Sequence, residues 1–194
     1  LALKALLTTA DASSTPSITT WKVDYHAGPS PLPNIGFTAY GTKTIGTSIS
    51  GAPVYKVVQN QTTSASGSSL ITPIEWDTYT IQLTGSTYDI GELCPSPPSV
   101  APAENKIVSL VLVPHTSHTL RVDVTGGGTP LPGATATLSQ PGNQTQTASS
   151  CGQAFFTGLS ATAYTLTVSK SGYQDSVQAV SISGQTSIIV PLNP

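Results

Sequence analysis

The chain carries one pattern twice, and that limits its possible folds more than any other feature. Gly67-Ser68-Ser69-Leu70-Ile71, Tyr79-Thr80-Ile81-Gln82-Leu83 and Tyr88 are matched by Gly152-Gln153-Ala154-Phe155-Phe156, Tyr164-Thr165-Leu166-Thr167-Val168 and Gly172-Tyr173. The glycine precedes its first tyrosine by 12 residues in both copies, and the two tyrosines are 9 apart in both. Upstream, Pro31-Leu32-Pro33 before Ile35, Phe37 and Ala39 parallels Pro130-Leu131-Pro132 before Ala134, Ala136 and Leu138. Shared spacing of this kind marks two copies of one structural unit.

At 194 residues the chain has room for two small units, each with a modest core. Period-2 alternation of β-branched and aromatic residues predicts strands at 18–25, 34–40, 53–58, 79–84 and 107–113. The second copy predicts strands at 118–124, 133–139, 153–157, 163–169, 176–182 and 186–191. Breaks fall on glycine and proline, as at Gly126-Gly127-Gly128 and Pro141-Gly142-Asn143, and 17 Gly with 16 Pro argue against long helices. The expected class is all-β: two tandem Ig-like or prealbumin-like sandwiches with a short N-terminal extension. The divisions are 1–16 for the extension, 17–114 for the first sandwich and 115–194 for the second, joined by a short linker around His115 to His118. The first copy carries extra residues around Thr42 to Gln59, and again at Gly91 to Pro98, which reads as a rigid extended loop.

Composition narrows the function. Charged residues are only 8%, against about a quarter in an average soluble protein, and Ser plus Thr exceed a quarter of the chain, so its polar surface rests on hydroxyls. A net charge of −2 with 7 Lys+Arg leaves no basic patch for a phosphate backbone, which excludes nucleic acid as a partner. No run of apolar residues is long enough to span a bilayer in this fragment. With no Met even at position 1, the chain reads as a piece of a longer precursor whose signal, if it had one, has been removed. Absent Met, sparse Lys and two Cys in turn-like contexts favour an extracellular or cell-surface protein.

Few residues carry reactive chemistry. Cys94 lies in an insertion unique to the first copy, and Cys151 stands where the first copy has Ser66. They form either a disulfide locking the two units together or two free thiols, and an oxidising compartment favours the bridge. His115 and His118 share an H-x-x-H spacing, but on an extended linker they point to opposite faces with no completing ligand, so neither a metal nor another cofactor is expected. Glu75 and Asp77 flank Trp76, where turn carboxylates capping backbone amides are the ordinary case and paired catalytic acids the rarer one. No nucleophile elbow, zinc-protease or phosphate-loop pattern occurs, and the chain does not read as an enzyme. Trp76 and Tyr55 are the candidates for a sugar platform, while Trp21, Val23 and Tyr25 share one strand face and read as core. Asn60 and Asn143 begin N-x-T sequons and are candidate glycan sites.

The run Gly152-x-Ala154-x-Phe156-x-x-Leu159, followed by Tyr164-x-Leu166-x-Val168 and Gly172-Tyr173, resembles the carboxypeptidase regulatory-like module and the B-type repeat of collagen-binding adhesins. The likeness covers residues 118–194, and 18–113 more weakly because of the insertions. It implies a seven-stranded prealbumin-like sandwich of the kind found in stalks, pilus subunits and accessory domains of prokaryotic surface proteins. Adhesin repeats often carry a Lys–Asn isopeptide bond. Lys22 and Glu75 fit that pattern, but strand 107–113 offers no Asn, only Asn105 ahead of it, and Arg121 replaces the second Lys, so no such bond is expected.

Leu1, Leu3, Ala5 and Leu7 would share one face of a strand, and an apolar strand without a partner is a liability unless another sheet takes it. It is either donated to a neighbouring subunit or the remnant of a preceding domain. The function these features favour is a structural subunit of an extracellular filament, pilus or surface stalk, with adhesion as a further role. Its partners would be identical subunits, with a host or surface glycan or protein as a further candidate. The alternative is a carbohydrate-binding accessory module of a secreted hydrolase.

Overall fold

The alternation and turn residues produce an all-β protein with no helix among the described residues, 30–139 and 142–194 of the computed structural model. The expectations for Leu1, Leu3, Ala5 and Leu7, for Trp21, Lys22, Val23 and Tyr25, and for the strand at 18–25 lie outside those residues. The first half of the described chain contains β1 (Gly36–Gly41), β2 (Thr44–Thr47), β3 (Pro53–Tyr55), β4 (Val58–Thr62), β5 (Asp77–Leu83), β6 (Tyr88–Cys94), β7 (Ser99–Val100) and β8 (Ser109–Pro114). The second contains β9 (Thr119–Gly126), β10 (Thr129–Pro130), β11 (Thr135–Ser139), β12 (Gln144–Thr147), β13 (Gln153–Phe156), β14 (Ala163–Ser169), β15 (Ser176–Ser181) and β16 (Gln185–Leu192).

In the second half two sheets face each other. One runs β10-β9-β13 with β16 added parallel to β9, and the other runs β12-β11-β14-β15. Because side chains alternate along a strand, Leu120, Val122 and Val124 of β9 meet Ala136 and Leu138 of β11 and Leu166 and Val168 of β14 in one core with Phe156. Each is essentially sealed from solvent, and burying a side chain of Val, Leu or Phe size contributes about 1.5–3 kcal/mol.

The first half repeats the backbone plan. Gly67 N–H donates to the Ser64 carbonyl as Gly152 N–H does to Ser149, and Thr63 N–H donates to Ile35 as Ala148 N–H does to Ala134. Both repeat glycines have left-handed φ, 69° and 72°. A Cβ at Gly152 would meet the Val124 carbonyl oxygen at 2.7 Å and the Leu131 nitrogen at 2.8 Å; at Gly67 it would meet Pro31 Cβ at 2.8 Å and the Leu32 nitrogen at 2.9 Å. Conformation and space together require glycine. The first tyrosine of each copy ties back four residues: Tyr79 donates its hydroxyl to the Glu75 carbonyl, and the Tyr164 hydroxyl accepts from Ser160 N–H.

The halves part company in pairing. The sheet β4-β1-β5-β7 matches β12-β11-β14-β15, except that short β7 occupies the edge that β15 takes in the second half. The counterpart of β15 by sequence is β6, which pairs instead with β8 through a bulge at Gly91. Gly91 to Cys94, expected as an extended loop, is therefore strand. The expected strand at 53–58 is two strands. Pro53–Tyr55 folds back on β2 as a hairpin, and Val58–Thr62 pairs with β1, because the chain crosses from one partner to the other at Lys56 and Val57, whose backbones bond to Lys43 and Gly41. Two polar strands, β2 and β12, carry too little apolar signal to stand out in the sequence.

Candidate functional site: the junction between the halves

β6 ends on Cys94, and the turn ahead of β13 holds Cys151. Their sulfurs are bonded, with the Cα atoms 5.8 Å apart across 57 residues of chain. Beside the bridge, Leu93 N–H donates at 2.7 Å to Oε1 of Gln153, a buried side chain whose Nε2 donates at 2.5 Å to Asp123 Oδ1. Asp123 Oδ2 in turn accepts from Arg121 Nε and Ser187 Oγ, each at 3.3 Å. One amide thus joins the first half's β6 to the second half's β9, and no buried side-chain polar atom among the described residues lacks a partner. Glu92 lies beside the two sulfurs, but both are spent on each other and neither is a thiolate able to hold a cation.

A second tie sits at Asp89. This carboxylate, only 3% exposed, accepts from His115 Nδ1 at 2.8 Å, from Thr116 N–H at 3.0 Å and from Gln185 Nε2, so β6, the linker and β16 converge on it. His118 contributes its backbone carbonyl to Leu159 N–H, so the two linker histidines serve separate contacts. A cleft of about 340 Å³ opens beside this tie, lined in part by Leu83, Tyr88, Asp89, Arg121, Phe155 and Gln185. Its carboxylate is already saturated by the linker and β16.

Asp77 and Glu75, singled out in the sequence, and Glu104 have structural duties. Asp77 Oδ1 accepts from Thr42 Oγ1 at 2.6 Å and Thr78 N–H at 2.8 Å, and Oδ2 accepts from Lys43 N–H at 3.1 Å. Burial raises its pKa, but these hydrogen bonds together outweigh burial and hold the carboxyl below its ordinary range. Glu75 is held low by hydrogen bonds from Lys56 and then Lys43, and Glu104 by the Ala101 N–H and then Lys106. The Tyr79 hydroxyl is pushed up by burial first and then by the charges of Asp77 and Glu75. Carboxylates kept ionised and fully bonded are poorly suited to donate a proton to a substrate.

Trp76 is 56% exposed, yet Lys43 Nζ stands 3.1 Å from its ring centroid and occupies one face. Tyr55 leans on Tyr40, with centroids 5.4 Å apart at 54°. Both candidate platform rings therefore already have a partner. Asn60 lies within β4 with its Oδ1 accepting from Thr38 Oγ1 at 2.7 Å, whereas Asn143 is exposed beside β12. Gln153 and Asp89 were not singled out in the sequence. The one available signal for Gln153 was its departure from Ser68, its counterpart in the first copy.

No protein-family model matches the chain, and no curated protein matches it. Among solved structures it is similar to the minor pilin of the gram-positive pathogen Streptococcus agalactiae, at 17% identity over 84% of this chain and 84% of that one, with a TM-score of 0.34. The shaft pilin SpaA of Lactobacillus rhamnosus GG shares 11% identity over 85% of this chain and 89% of its own, with a TM-score of 0.33. The TIE protein of Bacillus anthracis shares 18% over 83% of this chain and 30% of its own, with a TM-score of 0.34. Scores this low carry no inference about function.

Proposed function

We propose that the chain is a structural subunit of an extracellular filament, pilus or surface stalk, with its sandwich repeats in residues 17–114 and 115–194 behind an extension of residues 1–16. The junction supports this reading most. A disulfide, a buried glutamine and a saturated buried aspartate all join one half to the other, which favours a fixed joint over a moving one. A disulfide of this kind persists in an oxidising compartment, in keeping with a surface location. Asp77, Glu104 and Asp123 are spent on turns and ties. Adhesion to a host or surface glycan or protein is the activity such a stalk would present.

Subunits would join by donation of Leu1, Leu3, Ala5 and Leu7 to the sheet of the next copy. Electron microscopy of native material and light scattering of the full chain test the assembly: fibres and concentration-dependent growth are expected, and a monomer at every concentration with no fibres would sink the reading. Deleting residues 1–12 should abolish growth, and unchanged growth would remove strand donation while leaving the filament intact.

A further inference from the structure

The cleft beside Asp89 is walled by both halves. On the second half's side, Ser187 of β16, Arg121 of β9 and Phe155 of β13 are register partners and form a row across the sheet. Their neighbours along β9 and β13, Leu120, Val122, Ala154 and Phe156, belong to the core, so the row points away from it. On the first half's side stand Gln82 and Leu83 at the end of β5 and Tyr88 at the start of β6. The row offers groups the fold does not use. The Arg121 side chain is 19% exposed and, among the described residues, bonds only through Nε, to Asp123, so the donors of both Nη groups remain. Among the described residues the ring pairings are Tyr40 with Tyr55 and Lys43 with Trp76, which leaves the partly buried Phe155 with no such partner on its face. The exposed Gln82 adds an amide that can both donate and accept.

Charge decides the class of ligand. Arg121 is matched by Asp123 at 3.3 Å, and Asp89 by its three donors, so the cleft holds no unbalanced charge to select an ion. An aromatic face beside amide, hydroxyl and guanidinium groups suits a neutral ring that presents C–H groups on one side and hydroxyls at its edge. The volume of about 340 Å³ lies at the small end of the range for small-molecule sites. We propose that the cleft at the junction binds a neutral hexose unit of a glycan, stacked on Phe155 and held at its hydroxyls by Arg121 and Gln82. This rests on the adhesive part of the proposed function and gives that role a site other than Trp76 and Tyr55. The joint prepares the site, because β6 is tied to the second half near its start by Asp89 and at its close by Leu93 and Cys94. Walls fixed in advance lower the ordering cost of holding a small ligand.

Saturation-transfer NMR on the full, oxidised chain with the methyl glycosides of glucose, galactose, mannose and N-acetylglucosamine tests the site. At least one should bind, with transfer to its ring C–H protons. Arg121→Gln and Phe155→Ala should each weaken that binding by about tenfold, as the loss of one well-made contact does, while Trp76→Ala should leave it unchanged. Amide shifts on the unmodified chain decide the case if a variant folds poorly: they should gather at residues 82–90, 121, 155 and 185–187. Binding by none of the four, shifts gathered around Trp76 and Tyr55, or tighter binding of methyl glucuronide than of methyl glucoside overturns the proposal. Filament growth is read separately, so fibres without sugar binding overturn this site and leave the filament reading intact.

Discussion

Two side chains carry more of the molecule than their number suggests. Removing the amide in Gln153→Ala would leave the buried Leu93 N–H and the part-buried Asp123 Oδ1 without these partners. A loss of about 1–3 kcal/mol in chemical denaturation is expected, against well under 1 for an exposed glutamine such as Gln178. Asp77 sets a pH dependence. Its folded pKa lies below the ordinary 3.8, so its contribution is fully present above that value and is lost as pH falls through the folded pKa. Urea midpoints should drop below about pH 4, and Asp77→Asn should lower the midpoint at pH 7 while flattening its fall in acid. A variant with the same acid slope as the parent would show that other carboxyls govern it.

At the scale of elements, the repeat legible in the sequence placed the glycines, the tyrosines and the strands of the β11–β14 type in both halves. Periodicity could do this because apolar alternation reports which face of a strand is buried. It could not report which strand lies alongside. Tyr88 to Cys94 alternates as well for pairing with β8 as for pairing with β5, and the choice rests on a bulge and on contacts across the junction. Bridging polar side chains such as Asp89 were illegible for the same reason, since their partners are 26 to 96 residues away. The repeat glycines themselves give a direct test. Gly67→Ala and Gly152→Ala should each lower the melting temperature, at a cost of about 1–3 kcal/mol, whereas Gly184→Ala, with ordinary φ and open space, should change it little.

Over the described residues, the large buried apolar cluster sits in the second half, and the first half is tied to it at the junction. Replacing both cysteines by serine releases a 57-residue loop, which the chain-entropy account values at about 4 kcal/mol. Denaturation followed by hydrogen exchange should then show residues 36–114 opening ahead of 119–192. Simultaneous loss of both halves would mean that the bridge is not what couples them.

The parallel course of β16 beside β9 bears on a chain under tension. Pulled at Thr119 and at Leu192, the two strands are loaded along their length from opposite ends, so their backbone bonds share the load in shear instead of parting one after another. Single-molecule stretching between those points should give a sharp rupture peak, and a drawn-out low plateau would rule this out. A strand order that costs a crossover is, for a tether, a source of tensile strength.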